Sequence, residues 1–530
     1  MPVPRTTSAR KRPQKPTGVA QYDALAESGL DRFLRAHSGR IITLLCLYAG
    51  LRILIFSAAF PLFNNVDEQA HLISIQSYAR GQWPGKDLPK LDPDSAKFYA
   101  LYGTAEYLVP SETFKIRPWT PFYQLSPQEV YPRVARTYMH WLNAANFEAQ
   151  STPLYYLLGA AWYRLGEALG MREWQLAYWI RFLNPAAYAL LMWVSYRFVT
   201  NVYPDRMFLG LGVPALLAVF PQDVFFGINR DVLSAPMCAA ALLLLMKALE
   251  KKNRKWLLAA ASLVGLAFLV NVSNCVLYGV LAITLWFWVR GSPGTALTNA
   301  GTAVGAVFAS VALPSIWMLR NYSVMGDLTG SRAKIEYLGW TMKPLHELFH
   351  HPLFSFHGLS YFLVGLVPTF WRGEYVWHMK PMRWPVADWF YIASSGVMIV
   401  VFSVRFVREW ESSTATQRWA ELQALFMVLG SVLFMAAISL PFDFHNCMYP
   451  SRANPFFLSG RIISGALLPF VLIFVSGMEF LLAPIRKWVS PAAVLACLMV
   501  FITITEFQIR RVVFSSPNNF FALTSWKKNH

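Results

Sequence analysis

Apolar residues run in long blocks from about residue 41 to about residue 508, separated by short polar or basic stretches. Several blocks reach the roughly 18–20 residues an α-helix needs to cross a bilayer core of about 30 Å. Examples are IITLLCLYAGLRILIFSAAF (41–60) and ISGALLPFVLIFVSGMEFLLA (463–483). So many blocks of this length would overfill a soluble core, so the pattern predicts an all-α integral membrane protein. Basic residues at block ends set the orientation, because loops rich in Lys and Arg stay inside. Arg5, Arg10, Lys11, Arg12 and Lys15 precede the first acid, Asp23, which puts the N-terminus inside; KALEKKNRK (247–255) is expected inside too. Blocks 153–169, 178–200, 206–222 and 231–249 lie between the first span and that loop, and if all four crossed the loop would fall outside. The weakest, TPLYYLLGAAWYRLGEALG (152–170), is interrupted by Arg164 and Glu167 and is assigned to the outer interface. The same parity makes 352–369 interfacial or re-entrant. The expected architecture is a bundle of about 11 (11–13) transmembrane helices, with large outer loops carrying interfacial helices. Residues 1–40 form a disordered basic cytoplasmic tail, 41–508 the membrane domain with outer loops 64–151 and 321–386, and 509–530 a short C-terminal tail outside.

Composition agrees with this picture. Of 530 residues, 55% are hydrophobic and 14% charged, whereas soluble domains run nearer a quarter charged. The net charge of +18 would suggest nucleic acid in a soluble protein. Here the basic residues sit at span ends, so topology explains them and no nucleic-acid partner is expected. The basic tail suits anionic lipid. The five cysteines show neither a disulfide framework nor zinc spacing. The N-terminus lacks the shape of a cleaved signal peptide, and no internal repeat or Gly-rich nucleotide loop stands out.

The topology gathers the unusual polar residues on the outer side: Asp67, Glu68 and His71; Asp223, Asn229, Arg230 and Asp231; Arg320, Asp443, His445, Arg452 and Arg461. Polar groups near membrane depth are costly and mark functional paths. In NNVDEQAHLISIQSYARGQWPG (64–85), Asp67 and His71 are four apart and share a helix face. A second acid beside a carboxylate can raise its pKa toward general-base use; alternatively Asn64, Asn65 or Asp67 caps a helix start. In PQDVFFGINRDVLSAP (221–236), Asp231 opens a span. It is placed either to complement the helix dipole or to act as a second acid that orients an acceptor or holds a divalent cation. Arg320 and Arg461 are suited to a lipid-linked phosphate, or else snorkel to the interface. Trp83, Tyr99, Tyr102, Tyr107, Trp119, Tyr123, Tyr138 and Trp141 form either a carbohydrate-stacking wall or an interfacial aromatic belt.

These residues carry a resemblance to the GT-C class of polytopic membrane glycosyltransferases. The chain is similar to the bacterial relatives of dolichyl-phosphate-mannose protein mannosyltransferases and to lipid A aminoarabinose transferases. It resembles most a bacterial membrane family of unassigned function. Asp67, Glu68 and His71 match a DE-x-x-H segment after the first span, and Pro153 to Leu158 match a P-L-Y-Y-L-L helix. Asn229 and Asp231 match an N-x-D segment, WMLRNYSVMGDLTG (317–330) an R-N-x-x-x-x-G-D segment, and Gly460 and Arg461 a late G-R. The chain departs from the pattern at Ser151-Thr152, at Val272 and Ser273 around Asn271, and at Ile462.

The resemblance implies a polyprenyl-phosphate sugar donor, an outer-face glycan, lipid or protein acceptor, and inversion at the anomeric carbon. Asp67 would be the general base, Glu68 and His71 would orient the acceptor, Asp231 would assist or bind a metal, and Asn229 would bind substrate. Arg320 and Arg461 would offset the leaving phosphate. Some members use a divalent cation such as Mg or Mn; no compact metal signature is present, so metal ligands are unassigned. The implied location is the bacterial inner membrane with the site facing the periplasm. The rival readings are a non-catalytic flippase or transporter of lipid-linked glycans and a surface-polysaccharide polymerase or ligase. A secondary transporter is a further one, but its paired broken-helix repeats are not seen.

Overall fold

The structure is a computed structural model and describes residues 29–64, 67–103, 109–116, 120–447 and 449–529. Asn65, Tyr107, Trp119 and the basic residues before 29 lie outside the described residues. Almost all the regular structure is helical. The described strands are two-residue pairs, Thr341–Met342 with Phe442–Asp443 and Val376–Trp377 with Lys380–Pro381, both antiparallel.

Eight helical segments are long and apolar enough to cross a membrane: Arg32–Ala59, Arg230–Lys251, Val272–Gly291, Ala296–Met325, Pro385–Arg408, Ala415–Ser439, Gly460–Ile485 and Pro491–Lys527. This makes the chain an integral membrane helical bundle, with fewer such helices than the eleven expected. The other three expected spans are helical but fall short. Met207–Ala218 has 12 residues and Arg254–Val270 has 17. Asn184–Val202 has 19 but carries Asn184, Arg197 and Asn201. Leu154–Ala168 and Phe356–Arg372, which cover the two stretches expected not to cross, are helices of 15 and 17 residues and are not among the eight. The first helix begins at Gly29, so the disorder expected through residue 40 does not hold for 29–40. No proline interrupts this segment, and extending a helix costs far less than nucleating one.

Met207–Ala218 is short because the chain then leaves the α-helix, keeping only a 3₁₀ turn at Asp223–Phe226, while staying inside the protein. Every residue from Val219 to Asn229 is buried. Non-helical backbone at membrane depth is tolerated only when protein groups satisfy it, and here buried polar side chains do so. Asn184 Nδ2 donates to the carbonyls of Phe225 (3.0 Å) and Gly227 (2.8 Å). Arg52 donates to Phe220 O at 3.0 Å, and Arg510 to Pro221 O at 2.6 Å. Gln222 reaches Phe370 O at 2.7 Å. Arg52 and Arg510 share Glu506, with Arg52 Nε at 2.7 Å from its Oε2. The arginines inside the apolar blocks therefore close open helix ends, where the last carbonyls have no intrahelical partner.

A second apolar core sits at one end of the bundle. Helix Glu68–Ala79 packs on Leu154–Ala168 around Leu72, Ile75, Tyr99, Tyr155, Tyr156 and Trp174. Leu523 of the last helix, Phe520–Asn529, closes this core, so the C-terminal tail returns to the 64–151 loop. Several of the aromatic residues read as a sugar wall or an interfacial belt pack in this core instead. Tyr99 is 1% exposed and donates to Gln69 O at 3.0 Å, and Tyr102 donates to Glu173 at 2.9 Å. Trp83 remains 55% exposed.

Candidate functional site: three carboxylates on one guanidinium

The site is built around Arg461, which lies in the 3₁₀ segment Gly460–Ala466 that leads into helix Leu467–Leu482. Gly460 allows this placement. Its N–H donates to Thr369 Oγ1 at 3.1 Å, and a Cβ there would stand 2.0 Å from the Phe370 nitrogen. The backbone of 460 thus lies against the end of helix Phe356–Arg372, which turns Arg461 inward. Gly460→Ala is expected to cost about 1–3 kcal/mol, the usual penalty of overpacking, and would show as a lower thermal midpoint of the detergent-purified protein.

Each end of the Arg461 guanidinium meets a different carboxylate. Nη2 donates to Asp67 Oδ2 at 3.0 Å, Nη1 to Asp231 Oδ2 at 2.9 Å, and Nε to Glu374 Oε2 at 3.2 Å. Residues at 67, 231, 374 and 461 come from four distant parts of the chain, so this convergence is a property of the fold.

Asp67 precedes helix Glu68–Ala79 with φ 68°, and its side chain makes no capping hydrogen bond. The left-handed region is uncommon for residues other than Gly and marks sites where structure imposes strain. Helix capping therefore does not explain this carboxylate. Asp231 is held from every side. Asn229 Oδ1 accepts its N–H at 2.9 Å, Asn271 Nδ2 donates to its Oδ1, and Ser464 Oγ donates to its carbonyl at 2.9 Å. Its side chain is 1% exposed, against 20% for Asp67 and 18% for Glu374. Asp67 and Glu374 are therefore the reachable members and Asp231 the anchored one. Glu374 follows Gly373, whose φ of +88° and contact with the Asp223 carboxylate leave no room for a side chain. Asp223 in turn accepts from the Tyr375 N–H at 2.8 Å.

A second charge group adjoins the first. Glu148 Oε2 lies 3.2 Å from Arg230 Nη1 and accepts from Ser151 Oγ at 2.6 Å, and its Oε1 meets Lys334 Nζ. Together four carboxylates face three cations. Burial raises the Asp67 carboxyl above the usual carboxylate range. Arg461 opposes that shift and Glu148 adds to it. Burial alone would raise Glu148 as well, but Lys334 and Arg230 outweigh it and hold that group well below its ordinary value. His71 is 2% exposed, and burial pushes it down to about 3, so its ring is neutral. Its Nδ1 is 2.9 Å from Tyr156 Oη, and its Nε2 is buried with no hydrogen-bond partner among the described residues.

Two expectations need correction. Glu68 does not face the cluster. It is fully buried and bound by Arg181 through Nε–Oε1 and Nη2–Oε2, both 2.7 Å, and it also accepts the N–H groups of Phe63 (2.8 Å) and Ile228 (2.9 Å). With its oxygens saturated it is a structural clamp rather than an acceptor-orienting acid. Arg320 does not join the cluster either. It donates to Pro84 O and to Asn321 Oδ1 at 3.3 Å, and lies over the Trp317 ring. In the same R-N-x-x-x-x-G-D stretch, Asp327 ties its own turn by accepting N–H groups of Thr329, Ser331 and Arg332.

Among the described residues no three His, Cys, Asp or Glu side chains are arranged to hold a metal ion. Asp67, Asp231 and Glu374 are each turned to a guanidinium, so the residues present do not fit the divalent cation.

Sequence reading missed Glu374, Glu148 and Lys334. Glu374 carried a signal, being the acid that directly follows a re-entrant apolar stretch in WRGEYVW (371–377). A local repeat was also missed. Asn229 and Asn271 adopt nearly the same backbone (φ −155°, ψ 138° and φ −151°, ψ 135°). Each caps a 3₁₀ turn that opens a long helix. The N-x-D and N-x-S spacings encode it.

No protein-family model matches the chain, and no curated protein matches it. Among solved structures, the chain is similar to the oligosaccharyltransferase of Archaeoglobus fulgidus, in a crystal structure tethered with an acceptor peptide containing the NVT sequon via a disulfide bond. The likeness has 13% identity and a TM-score of 0.36, and covers 90% of this chain. The chain spans about half, 55%, of that protein's length.

Proposed function

We propose that this protein is a membrane glycosyltransferase of the GT-C kind, moving a sugar from a polyprenyl-phosphate donor to a hydroxyl acceptor at the outer face of a bacterial inner membrane. The observation that carries the reading is the convergence of Asp67, Asp231 and Glu374 on Arg461 at the mouth of a membrane bundle. In this scheme Asp67 removes the acceptor proton as the acceptor oxygen bonds to the anomeric carbon. The bond from that carbon to the phosphate oxygen breaks with inversion, and the electron pair leaves with the lipid phosphate. Burial supports Asp67 as base because it raises the affinity of this carboxylate for a proton. Arg461 and the anchored Asp231 fix its direction, and the free Nε2 of His71 is suited to an acceptor hydroxyl. Arg230 and Lys334, now held by Glu148, are the cations a departing phosphate would meet. Glu68 serves the site only by fixing the start of its helix.

The test is transfer of labelled sugar from a panel of polyprenyl-phosphate hexoses and pentoses in proteoliposomes, with glycan, lipid and peptide acceptors. Lipid-linked sugar that crosses the bilayer with no new glycosidic bond would instead support a flippase. The pH dependence has a definite sign. Asp67 must be ionised to act, and its pKa lies above the ordinary value of about 3.9. Transfer is therefore expected to rise with pH along a limb displaced upward from that value and to fall as the medium is acidified through it. A parental rate that stays flat as the medium is acidified through the ordinary carboxylate range would count against Asp67 as base.

A further inference from the structure

A cavity of about 530 Å³ opens on the flank of the bundle, outside the carboxylate cluster. Its rim holds Trp377, Lys380, Arg383 and Trp384, and its wall includes Ile504 and Ile509. The rim residues come from one short stretch. Trp377 and Lys380 face each other across the antiparallel pair Val376–Trp377 and Lys380–Pro381, and Arg383 and Trp384 directly precede helix Pro385–Arg408. The wall comes from the end of helix Pro491–Arg510. Two cations and two indoles therefore stand where two membrane-length helices end, above an apolar wall whose Ile504 is 59% exposed.

The cations are available. Arg383 is exposed, and its side chain has no hydrogen-bond or ion-pair partner among the described residues. Lys380 pairs with Glu112 at 3.3 Å, but both side chains are about 70% exposed (70% and 71%), and such pairs contribute little. Cations and Trp at the headgroup level with aliphatic side chains beneath match the layering of a lipid that has a charged head and hydrocarbon tails.

We propose that this groove binds an anionic glycerophospholipid of the surrounding bilayer. Its phosphate lies between Lys380 and Arg383, its glycerol region against Trp377 and Trp384, and its chains along Ile504 and Ile509. The groove adjoins the carboxylate cluster through the backbone. Glu374, on Arg461, is three residues before Trp377, and Val376 O between them accepts from Asn64 Nδ2 at 3.0 Å. An occupied groove would steady this hairpin and with it Glu374. The binding claim stands whether or not the protein transfers sugar.

The test is native mass spectrometry of the purified full chain, offered phosphatidylglycerol and phosphatidylcholine at equal concentration. The parent is expected to retain phosphatidylglycerol preferentially. The double variant Lys380→Gln/Arg383→Gln is expected to lose that lipid by roughly 10- to 30-fold, the effect of two interfacial cations, with phosphatidylcholine unchanged. Both positions are exposed, and an unchanged thermal midpoint in lipid-free detergent confirms that the variant is folded. Equal retention of the two lipids by the parent, or undiminished phosphatidylglycerol in the folded variant, overturns the proposal. So does displacement by inorganic phosphate at the same concentration as the lipid, which would reveal a bare anion site.

Discussion

Replacing Asp67 by Asn is expected to lower sugar transfer in proteoliposomes by about 10²–10⁴-fold, the usual contribution of a positioned general base. The variant is chosen to remove one property only. Asn is among the few residues that accept the left-handed backbone found at position 67, and its side-chain oxygen can still receive the Arg461 Nη2–H. The loss should therefore fall on kcat, with the melting profile preserved. The acid limb of the pH profile should disappear together with the activity. Transfer at the parental rate by a folded Asp67→Asn protein would remove Asp67 from the chemistry and leave the cluster as a binding feature.

The second large effect is on stability. Glu68→Gln is expected to cost about 3–5 kcal/mol, because it leaves the Arg181 guanidinium buried without its counter-charge. Arg181 is 1% exposed, and among the described residues its other hydrogen bonds go to the carbonyls of Ser57 (3.0 Å), Phe60 (2.6 Å) and Pro61 (2.8 Å), with the Tyr178 ring beneath it. The check is the thermal midpoint and monodispersity of the purified protein. The double variant Glu68→Gln/Arg181→Met should be less damaged than the two single costs added together, since it removes both halves of the pair. A single Glu68→Gln variant as stable as the parent, yet unable to transfer, would return Glu68 to the acceptor site.

The contrast between Asp67 and Glu68 shows where sequence reading stops. They are neighbours in one acidic motif, yet the structure gives their side chains different partners. Asp67 sits in a left-handed turn just ahead of the helix and Glu68 is the first helical residue, so one carboxylate faces Arg461 while the other turns into the bundle toward Arg181. Charge parity put Asp231 and Arg461 at one end of the bundle, where the structure joins them, and the Gly-Arg pair was read from the family resemblance. Parity assigns a residue to an end and not to a position around the bundle axis. Arg320 therefore read like Arg461, yet the structure ties it to Pro84. Glu374 and Glu148 lie in loops, where no periodicity constrains direction. The helix count fell short for a related reason. Apolar length reveals a span only while the backbone stays helical, and the buried irregular stretch after Ala218 breaks that correspondence.

That stretch bears on how the protein is made. Arg52 belongs to the first long helix and its carboxylate partner, Glu506, to the last, 454 positions further along the chain. While synthesis is under way the first helix sits in the bilayer with a guanidinium whose counter-ion does not yet exist, a costly state in hydrocarbon. Until the segment that carries Glu506 is in place, Arg52 lacks the carboxylate it meets in the folded bundle, so closure here joins segments made far apart in time.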